Sequence, residues 1–294
     1  MKLGMVGLGR MGYNMVLNLL DHKHKVIVYD VDMDPIKDLA KKGAIESHSV
    51  MELVSKLPQP RIVWIMIPSK FVKESLNNLV QYLDKGDIVI DGGNSYYKHS
   101  IKRYKKLSKK GIHFLDCGVS GGISGAREGA CMMVGGEKRI FKKVEKLFKD
   151  MCVKEGYGYM GKSGSGHFVK GIHNGIEYGM MGALAEGFSA IENQKFGTDL
   201  KEVAKVYAHG SIIESRLASW LWDAFRTPGF LNKISCEVPE GETEEEMAML
   251  EKLAPMPILH AARIMRVDTR RGKVCGKLIA AMRNLFGGHK VIKK

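Results

Sequence analysis

The sequence lacks the features that mark several classes of protein. Within its 294 residues no apolar run approaches the roughly 20 residues that a helical membrane span requires, so we expect no membrane partner. The opening residues 1–7 read as a strand that runs into a glycine turn, and they are too short for a signal peptide. These absences favour a globular protein with a sizeable core.

Cysteine is scarce, and its positions show no pattern. The five cysteines are Cys117, Cys131, Cys152, Cys236 and Cys275. They are scattered, odd in number, and spaced unlike the ligands of a metal site or the pair of a redox motif. We therefore expect a cytoplasmic protein with reduced thiols and no bound metal.

Charge is unbalanced towards the basic side. The 46 Lys and Arg residues outnumber the 32 Asp and Glu residues, which gives a formal net charge of +14. Either an anionic partner or a lysine-rich solvated surface would explain the excess. Lysine tracts at 102–106 and 109–110 follow an amphipathic helical pattern, which favours the solvated surface. Since no nucleic-acid-binding module is recognisable, we expect no nucleic-acid partner.

The N-terminal part contains a glycine pattern typical of dinucleotide-binding proteins. A strand at 3–6 precedes the pattern, a helix at 13–20 follows it, and a second strand at 25–30 comes next. The pattern consists of Gly7, Leu8, Gly9, Arg10, Met11 and Gly12. Its glycines permit a tight turn, close approach of a pyrophosphate, and close packing of helix on strand. We predict that these six residues bind a dinucleotide at the helix N-terminus.

Asp30, at the end of the second strand, indicates which dinucleotide binds. A carboxylate at this position accepts a hydrogen bond from the ribose 2′-hydroxyl of NAD and repels the 2′-phosphate of NADP. Residues 31–34 contain no arginine that could bind such a phosphate. We therefore expect NAD to be preferred, with NADP the weaker cofactor.

Strand-like and helical segments alternate through the first half. Apolar runs lie at 61–68, 87–91, 113–116 and 131–134. The alternation predicts an α/β Rossmann-type fold, a doubly wound parallel sheet with ligands at the carboxyl ends of its strands. Loops at 92–95 and 119–122 are expected there, so Asn94 and Ser120 are candidate contacts for the substrate or the nicotinamide. Turn formation alone would also explain the glycines of these loops.

The second half has the pattern of an all-helical C-terminal domain. We place a dinucleotide-binding domain at 1–162 and a helical domain for substrate binding and dimerisation at 163–294. A long helix is expected from about 167 to about 194, with others at 200–225 and 255–290. The long helix has small residues at every fourth position, Gly171, Gly175, Gly179 and Ala183. Because glycine disfavours helices, this ridge predicts close approach of another helix or of a cofactor.

The long helix also carries the most informative polar residues. They are Lys170, His173, Asn174 and Glu177, at positions i, i+3, i+4 and i+7. This spacing places them on one helix face, and apolar neighbours predict that the face is buried. A base, a carboxyl acid and two hydrogen-bonding groups on one stripe suit a reaction centre. A polar seam whose groups satisfy one another is the alternative.

At these positions the chain resembles the decarboxylating 6-phosphogluconate dehydrogenases, specifically their short form, within the β-hydroxyacid dehydrogenase superfamily. The resemblance spans nearly the whole chain. It rests on Gly-Leu-Gly-x-Met-Gly at 7–12, Asp-Gly-Gly-Asn-Ser at 91–95, Gly-Val-Ser-Gly-Gly at 118–122, Lys-x-x-His-Asn-Gly-Ile-Glu-Tyr at 170–178 and Arg-Asn-Leu-Phe-Gly-Gly-His at 283–289.

The resemblance implies oxidative decarboxylation of 6-phosphogluconate in the pentose phosphate pathway, with hydride transfer to NAD. Lys170 would take the C3 hydroxyl proton, and Glu177 would protonate C1 of the enediol left by loss of carbon dioxide. Asn94 would contact cofactor and substrate. The implied substrate-binding residues are Asn94, Ser120, Gly121, Gly122, His173, Asn174, Tyr178, Arg283 and His289. The last two would come from the C-terminal tail of a second subunit, which implies a homodimer or homotetramer.

Two departures from the family concern the phosphate of this substrate. The family has an arginine where this chain has Glu214, and a basic residue, tryptophan and threonine where this chain has Glu242, Thr243 and Glu244. Carboxylates near a phosphate would oppose its binding.

Several alternatives follow from these departures. Tyr178 and Arg283 could hold the phosphate with help from Arg270 or Arg271. Alternatively, the substrate is another aldonate or 3-hydroxy acid without the 6-phosphate. A catalytically silent protein that only senses a dinucleotide is a third interpretation, which the presence of Lys170 and Glu177 disfavours.

Overall fold

Short apolar runs in the first part of the chain form one sheet. The computed structural model describes residues 1–292, apart from the side chain of Glu242. The strands in that range are β1 (Lys2–Val6), β2 (Lys25–Tyr29), β3 (Ile45–Glu46), β4 (Ile62–Ile65), β5 (Ile88–Asp91), β6 (His113–Ser120), β7 (Ala130–Gly136) and β8 (Cys152–Gly161). Their order is β3-β2-β1-β4-β5-β6-β7-β8. Only the β6–β7 pair among these described strands is antiparallel, so the predicted Rossmann-type sheet is confirmed.

Helices connect the strands of this sheet. They are α1 (Arg10–Asp21), α2 (Met33–Lys41), α3 (Val50–Ser55), α4 (Ser69–Leu79), α5 (Tyr97–Ser108), α6 (Gly122–Glu128) and α7 (Lys138–Met151). Side chains cap two of them: Asp32 accepts a hydrogen bond from the backbone N of Asp34, and Ser49 accepts one from that of Glu52. Such caps satisfy backbone donors that the helix itself leaves unpaired.

Both faces of the sheet are covered by helices. In β4, Trp64 joins a core that includes Leu19 of α1, whereas its neighbours Val63 and Ile65 join a second core that includes Leu76 of α4. Successive side chains of a strand point to opposite faces, so an apolar run of this kind must be buried on both sides. The sheet is therefore doubly wound.

Two strands differ from the sequence-based expectation. β6 continues to Ser120, so Val119 and Ser120 are strand residues and not part of a loop. β8 is not predicted from the sequence because Gly156 and Gly158 interrupt its apolar pattern. As the last strand in the order, it lies at an edge of the sheet, where an alternating or apolar pattern is least required.

After β8 the described chain is helical. Its helices are α8 (Ser165–Glu192), α9 (Leu200–Tyr207), α10 (Arg216–Arg226), α11 (Glu242–Leu250), α12 (Pro257–Arg270) and α13 (Lys277–Gly287), with a short 3-10 helix at Leu231–Lys233. The chain forms two compact units, Met1–Lys170 and Gly171–Lys294. The division falls within α8, and the functional boundary expected between 162 and 163 stays a prediction.

One face of α8 belongs to the core of the second unit. Tyr178, Met181, Ala185 and Phe188 are buried at spacings of three and four residues. The glycine ridge lies against neighbouring helices: a Cβ on Gly175 would be 2.2 Å from Cδ1 of Leu259 in α12. The predicted close approach is therefore that of a helix.

Two cysteines are paired, which corrects the expectation that all thiols are reduced. Cys236 and Cys275 form a disulfide with their Cα atoms 4.4 Å apart, although 39 residues separate them in sequence. No motif spacing marks this pair, because tertiary structure alone brings the two residues together. The remaining cysteines keep their thiols, and burial raises the pKa of Cys152 to about 12.

The described residues contain neither a candidate membrane-spanning helix nor a candidate metal site. No helix among residues 1–292 is both long and apolar enough to cross a bilayer. In the same part of the chain, no group of three or more His, Cys, Asp or Glu side chains is arranged to hold a metal ion.

We expect the Cys236–Cys275 disulfide to stabilise the protein. A cross-link that closes a loop of this length lowers the entropy of the unfolded chain by the equivalent of about 4 kcal/mol. Urea unfolding should therefore show a free energy of unfolding that is lower in reductant by up to about 4 kcal/mol. In the Cys236→Ser/Cys275→Ser control, reductant should have no effect. Titration of all cysteines as thiols in denaturant without reductant would contradict the disulfide.

Candidate active site

The glycine turn between β1 and α1 borders open space. Gly7 has a φ of 97°, in the left-handed region, and a Cβ there would lie 2.5 Å from the backbone O of Met66. A Cβ on Gly12 would lie 2.1 Å from the O of Gly7, so α1 packs directly on the turn. At Gly9, by contrast, no heavy atom of the described residues other than Gly9 and its two chain neighbours lies within 4 Å of such a Cβ. The turn therefore has the close packing and the clearance that a bound pyrophosphate requires.

The side chain of Asp30 is hydrogen-bonded to this turn. Its Oδ2 accepts a hydrogen bond from the backbone N of Leu8, and its Oδ1 accepts one from Asp32 N at 3.0 Å. The first turn of α1 presents an exposed Arg10 and a half-buried Met11. The residues predicted for cofactor binding around Asp30 thus lie together at the carboxyl ends of β1 and β2.

A buried ion pair fixes the loop that carries Asn94. Asp91, at the end of β5, is completely buried and accepts hydrogen bonds from Arg103 Nη1 at 2.7 Å and from Ser95 Oγ at 3.2 Å. A Cβ on Gly92 would lie 2.2 Å from the indole nitrogen of the tryptophan in β4. Because both ends of this short loop are held, the half-buried Asn94 has a defined position.

Ser120, Gly121 and Gly122 form the end of β6 and the start of α6. Gly121 has a φ of 116° and Gly122 a φ of 65°, conformations that side chains other than glycine rarely adopt. Since β6 runs parallel to β5, Ser120 at the end of β6 and Asn94 in the loop after β5 lie at the same edge of the sheet. That edge also carries the glycine turn after β1.

The start of α8 is anchored to the sheet through Asp116. This completely buried carboxylate in β6 accepts hydrogen bonds from Gly164 N at 2.6 Å and His167 N at 3.0 Å. A Cβ on Gly166 would lie 2.4 Å from the backbone O of Asp116. The first turn of α8 therefore rests directly on the strand, with room for no side chain at the contact.

The same contact positions Lys170. A Cβ on Gly118 would lie 2.4 Å from Cβ of Lys170 and 3.1 Å from the backbone O of Gly166. Burial raises the pKa of the Cys131 thiol, and the charge of Lys170 acts in the opposite direction. Cys131 is the register partner of Ser120, so Lys170 lies over the last residues of β6.

The polar stripe beyond Lys170 is confirmed as part of one helix. His173 Nδ1 lies 3.4 Å from Asn174 Oδ1 and 3.7 Å from Glu177 Oε2. Asn174 is buried, whereas Glu177 and His173 are half-buried. The expectation that apolar neighbours bury this region is wrong for Ile176, which is 59% exposed. The stripe thus combines a base, an acid and an amide with partial access to solvent.

Tyr178 lies between two arginines of its own chain. The Cζ of Arg266 is 4.2 Å from the centre of the Tyr178 ring, and the Cζ of Arg283 is 5.9 Å from it. Both guanidinium groups donate to the backbone O of Pro239, at 3.1 Å from Arg266 Nη2 and 3.4 Å from Arg283 Nη1. Within this chain α13 places Arg283 beside Tyr178, and the expectation that Arg283 is contributed by a second subunit stays a prediction.

His289 is placed differently from Arg283. It is exposed, its ring lies 6.0 Å from that of Phe286, and its backbone O accepts a hydrogen bond from Asn284 Nδ2 at 2.8 Å. These contacts fold the residue back onto the end of α13. Its expected contribution to a neighbouring subunit stays a prediction.

The carboxylates that depart from the family pattern have local partners. Glu244 forms two hydrogen bonds with Arg270, Nη1–Oε2 at 3.0 Å and Nη2–Oε1 at 2.6 Å. The exposed Glu214 accepts a hydrogen bond from Gly210 N at 2.6 Å. Glu242 was the third such residue, and its side chain lies outside the described part. Arg270 is thus paired with Glu244, and the side chain of Arg271 is largely exposed.

Three residues of structural importance were not singled out from the sequence: Asp116, Arg103 and Arg266. A signal for Arg266 does exist, because it continues the buried face of α12 at the spacing of Leu259, Ala262 and Thr269. A charged residue at a core position of an amphipathic helix indicates a buried charge.

Comparisons with known proteins agree with this arrangement. Residues 2–168 match the family model for the NAD binding domain of 6-phosphogluconate dehydrogenase. The Bacillus subtilis protein YqeC, whose name provisionally assigns it to the 6-phosphogluconate dehydrogenases, is 43% identical over 298 residues and 100% of both chains. A Haloferax volcanii protein named as an NAD(+)-dependent, decarboxylating 6-phosphogluconate dehydrogenase is 36% identical over 300 residues, covering 100% of this chain and 99% of its own.

A solved structure supports the same relationship. The 6-phosphogluconate dehydrogenase of Plasmodium falciparum superposes with a TM-score of 0.84 at 29% identity, covering 93% of this chain and 63% of its own. That enzyme is described without ligand, with NADP+ and with 6-phosphogluconate.

Gly118→Ala should displace Lys170 and lower activity. The added methyl group would lie 2.4 Å from Cβ of Lys170, so the start of α8 must move. We expect a loss of about 1–3 kcal/mol in the free energy of unfolding and a fall in kcat of at least about tenfold, because a small misplacement of a reacting group is costly. Gly187→Ala is the control, since no described atom outside its own stretch of α8 lies within 4 Å of its Cβ position. Unchanged kcat in Gly118→Ala would show that this contact does not position Lys170.

Proposed function

The chain belongs to the 6-phosphogluconate dehydrogenase family, and we propose that it converts 6-phosphogluconate to ribulose 5-phosphate and carbon dioxide with hydride transfer to NAD. The observation that carries the proposal is the position of Lys170 over the end of β6. The glycine turn, Asn94 and Ser120 lie at the same edge of the sheet. A potential base therefore lies beside the edge where such sheets bind dinucleotides.

NAD fits the residues at this edge. In the proposal Gly7, Gly9 and Gly12 accommodate the pyrophosphate, the N–H groups of Gly9 to Met11 face it, and Asp30, held by the N–H of Leu8, accepts from the adenosine ribose. When bound, NAD supplies the hydride acceptor. Asp30 and Asp32 make the end of the site that faces the adenosine ribose anionic, which favours NAD over NADP. The name of the Haloferax volcanii relative gives independent support for NAD.

Lys170 acts as the general base in the proposed reaction. It takes the proton of the C3 hydroxyl as hydride leaves C3, and a 3-keto acid results. The ketone oxygen can then accept the electron pair released when the carboxylate carbon leaves as carbon dioxide. Lys170 returns its proton to that oxygen, which gives a neutral enediol and regenerates the base.

Glu177 acts as the acid that completes the reaction. It protonates the carbon that bore the carboxylate, C1 of the enediol, while the neutral Lys170 takes the proton of the hydroxyl group on the neighbouring carbon, and the ketose results. His173 contacts both Glu177 and Asn174 and orients this part of the stripe. We assign substrate contacts to Asn94, Ser120, Gly121, Gly122, His173, Asn174, Tyr178, Arg283 and His289.

A second candidate substrate is an aldonate or 3-hydroxy acid without the 6-phosphate. The exposed Glu214, at the position of a family arginine, favours this alternative. Initial rates of NADH formation with 6-phosphogluconate and gluconate decide between them. Faster turnover of 6-phosphogluconate supports the first proposal, and turnover of gluconate alone supports the second.

We further propose that the protein is a homo-oligomer. Ile176 on α8 and Ile258 on α12 are 59% and 73% exposed, respectively, although both are large and apolar. Burial of such residues between copies of the chain would be favourable. Sedimentation at several protein concentrations tests this, and a monomer at all of them would contradict it.

Lys170→Met and Glu177→Gln should abolish most turnover without loss of cofactor binding. General acid–base catalysis contributes about 10²- to 10⁴-fold, so kcat should fall by at least about 10² in each variant. The Kd of NAD, measured by fluorescence titration, should change by less than about threefold, because neither residue belongs to the glycine turn. Lys162→Met, at an exposed lysine before α8, is the control for loss of charge. Full activity in Lys170→Met would refute the assignment of the base.

Cofactor preference should shift when the residues that face the adenosine ribose are substituted. Asp30→Asn removes the carboxylate that repels a 2′-phosphate, and Val31→Arg adds a cation at a side chain that is 93% exposed. A hydrogen bond to a charged group is worth about 1.5–3 kcal/mol, so kcat/KM for NAD should fall about 10- to 100-fold in the double variant. In the same variant, kcat/KM for NADP should rise. Asp34→Asn is the matched control. Preference for NADP in the unaltered protein would contradict the role of Asp30.

A further inference from the structure

The disulfide between Cys236 and Cys275 takes no part in the proposed catalytic steps, yet it is open to solvent. Cys275 is exposed and Cys236 is half-buried. The other three cysteines of the chain are thiols, and each of them is buried or half-buried. A thiolate in solution therefore has access to the disulfide through Cys275, and such access is what thiol–disulfide exchange requires.

The disulfide holds one end of a short segment, residues 235–239, which we call the bridging segment. The backbone O of Cys236 accepts a hydrogen bond at 2.7 Å from the N of Gly276, the residue that precedes α13. Val238 is completely buried, and its backbone N donates to Thr269 Oγ1 in α12 at 3.0 Å. A Cβ on Gly276 would lie 2.6 Å from Cγ2 of Val238. The bridging segment therefore packs between α12 and the start of α13.

The last residue of the bridging segment contacts a residue that we assign to the substrate. The backbone O of Pro239 accepts hydrogen bonds from Arg283 Nη1 at 3.4 Å and from Arg266 Nη2 at 3.1 Å. Arg283 is buried, and its Nε has no hydrogen-bond partner among the described residues. The direction of this guanidinium group therefore depends on where the carbonyl group of Pro239 lies.

The disulfide joins the two elements that meet at this hydrogen bond. Cys236 lies three residues before Pro239, which supplies the acceptor, and Cys275 lies two residues before α13, the helix that carries Arg283. Once the disulfide is open, the hydrogen bonds that remain between these elements contribute only about 0.5–1.5 kcal/mol each. The bridging segment then gains freedom at the end that the cross-link held.

We propose that this disulfide is a redox switch of substrate affinity: the oxidised protein holds Arg283 in place for the substrate, and reduction by a dithiol weakens substrate binding. The inference rests on the proposed function, because it takes Arg283 as a contact of the substrate. The glycine turn belongs to the other compact unit, Met1–Lys170, and contains none of the residues that the disulfide holds. Reduction should therefore leave the affinity for NAD unchanged.

The chemical step is a thiol–disulfide exchange. A thiolate of the dithiol attacks Sγ of Cys275, the S–S bond breaks, and Cys236 leaves as a thiolate that takes up a proton. The second thiol of the reductant, as a thiolate, attacks the mixed disulfide, and Cys275 leaves and is protonated in turn. Two electrons and two protons have then passed from the dithiol to the two cysteines, and the reductant has become a disulfide.

The test measures the Kd of 6-phosphogluconate by calorimetry in the oxidised protein and in the protein reduced with dithiothreitol. We expect the Kd to be at least about fivefold higher after reduction, the lower end of the usual range for coupling between sites. The Kd of NAD should change by less than about threefold. Cys236→Ser/Cys275→Ser should bind as the reduced protein does in either buffer. Cys152→Ser removes a thiol outside the disulfide, so this control should keep the full redox response.

The reverse effect gives a second measurement. If reduction weakens substrate binding by some factor, bound substrate must favour the disulfide over the two thiols by the same factor. In dithiothreitol redox buffers, saturating 6-phosphogluconate should therefore shift the thiol–disulfide equilibrium constant at least about fivefold, which corresponds to about 20 mV. Saturating NAD should not shift it. A cross-link that only stabilises the fold would show no shift with either ligand.

Two outcomes would overturn the inference. An equal Kd of 6-phosphogluconate in the oxidised and the reduced protein would leave the disulfide as a structural cross-link alone. Equal losses of affinity for 6-phosphogluconate and NAD would show that reduction disrupts the whole protein and does not act at Arg283. Turnover separates this inference from the proposed function. If the oxidised protein binds 6-phosphogluconate without converting it, the proposed function fails, whereas the redox dependence of that binding still decides the inference.

Discussion

The packing of the first turn of α8 against β6 is the constraint on which the candidate site depends. Asp116 accepts the backbone N–H groups at the start of the helix, and Gly166 and Gly118 leave room for no side chain at the contact. A buried carboxylate needs such partners, so the helix cannot shift without leaving a charge unpaired. This contact sets the position of Lys170 relative to Ser120.

Electrostatic balance explains how the chain can depart from the family pattern. Glu214 and Glu244 replace residues that favour an anion, yet each has a partner close by, a backbone N–H and Arg270, respectively. The carboxylates at these positions are therefore not left without a donor in the fold. The sequence alone shows the carboxylates but not the donors that lie beside them.

The parts predictable from sequence are those governed by local periodicity and by short motifs. The glycine turn is a short motif, the strands are apolar runs between helical segments, and the helix that carries Lys170 to Glu177 has a pattern of period 3.6. β8 could not be predicted because an edge strand needs no apolar pattern. The Cys236–Cys275 pair and the placement of Arg283 within its own chain depend on contacts between distant segments. The charge of Arg266 was visible, but its burial and its partners were not.

The proposed reaction requires that oxidation at C3 and loss of the carboxylate carbon occur in one active site. The most direct test supplies 6-phosphogluconate labelled with ¹³C at C1, with NAD, and follows labelled carbon dioxide and NADH together by mass spectrometry and absorbance. We expect one labelled carbon dioxide for each NADH from the first turnovers onward. Formation of NADH without labelled carbon dioxide would contradict it and would leave a dehydrogenase that does not decarboxylate.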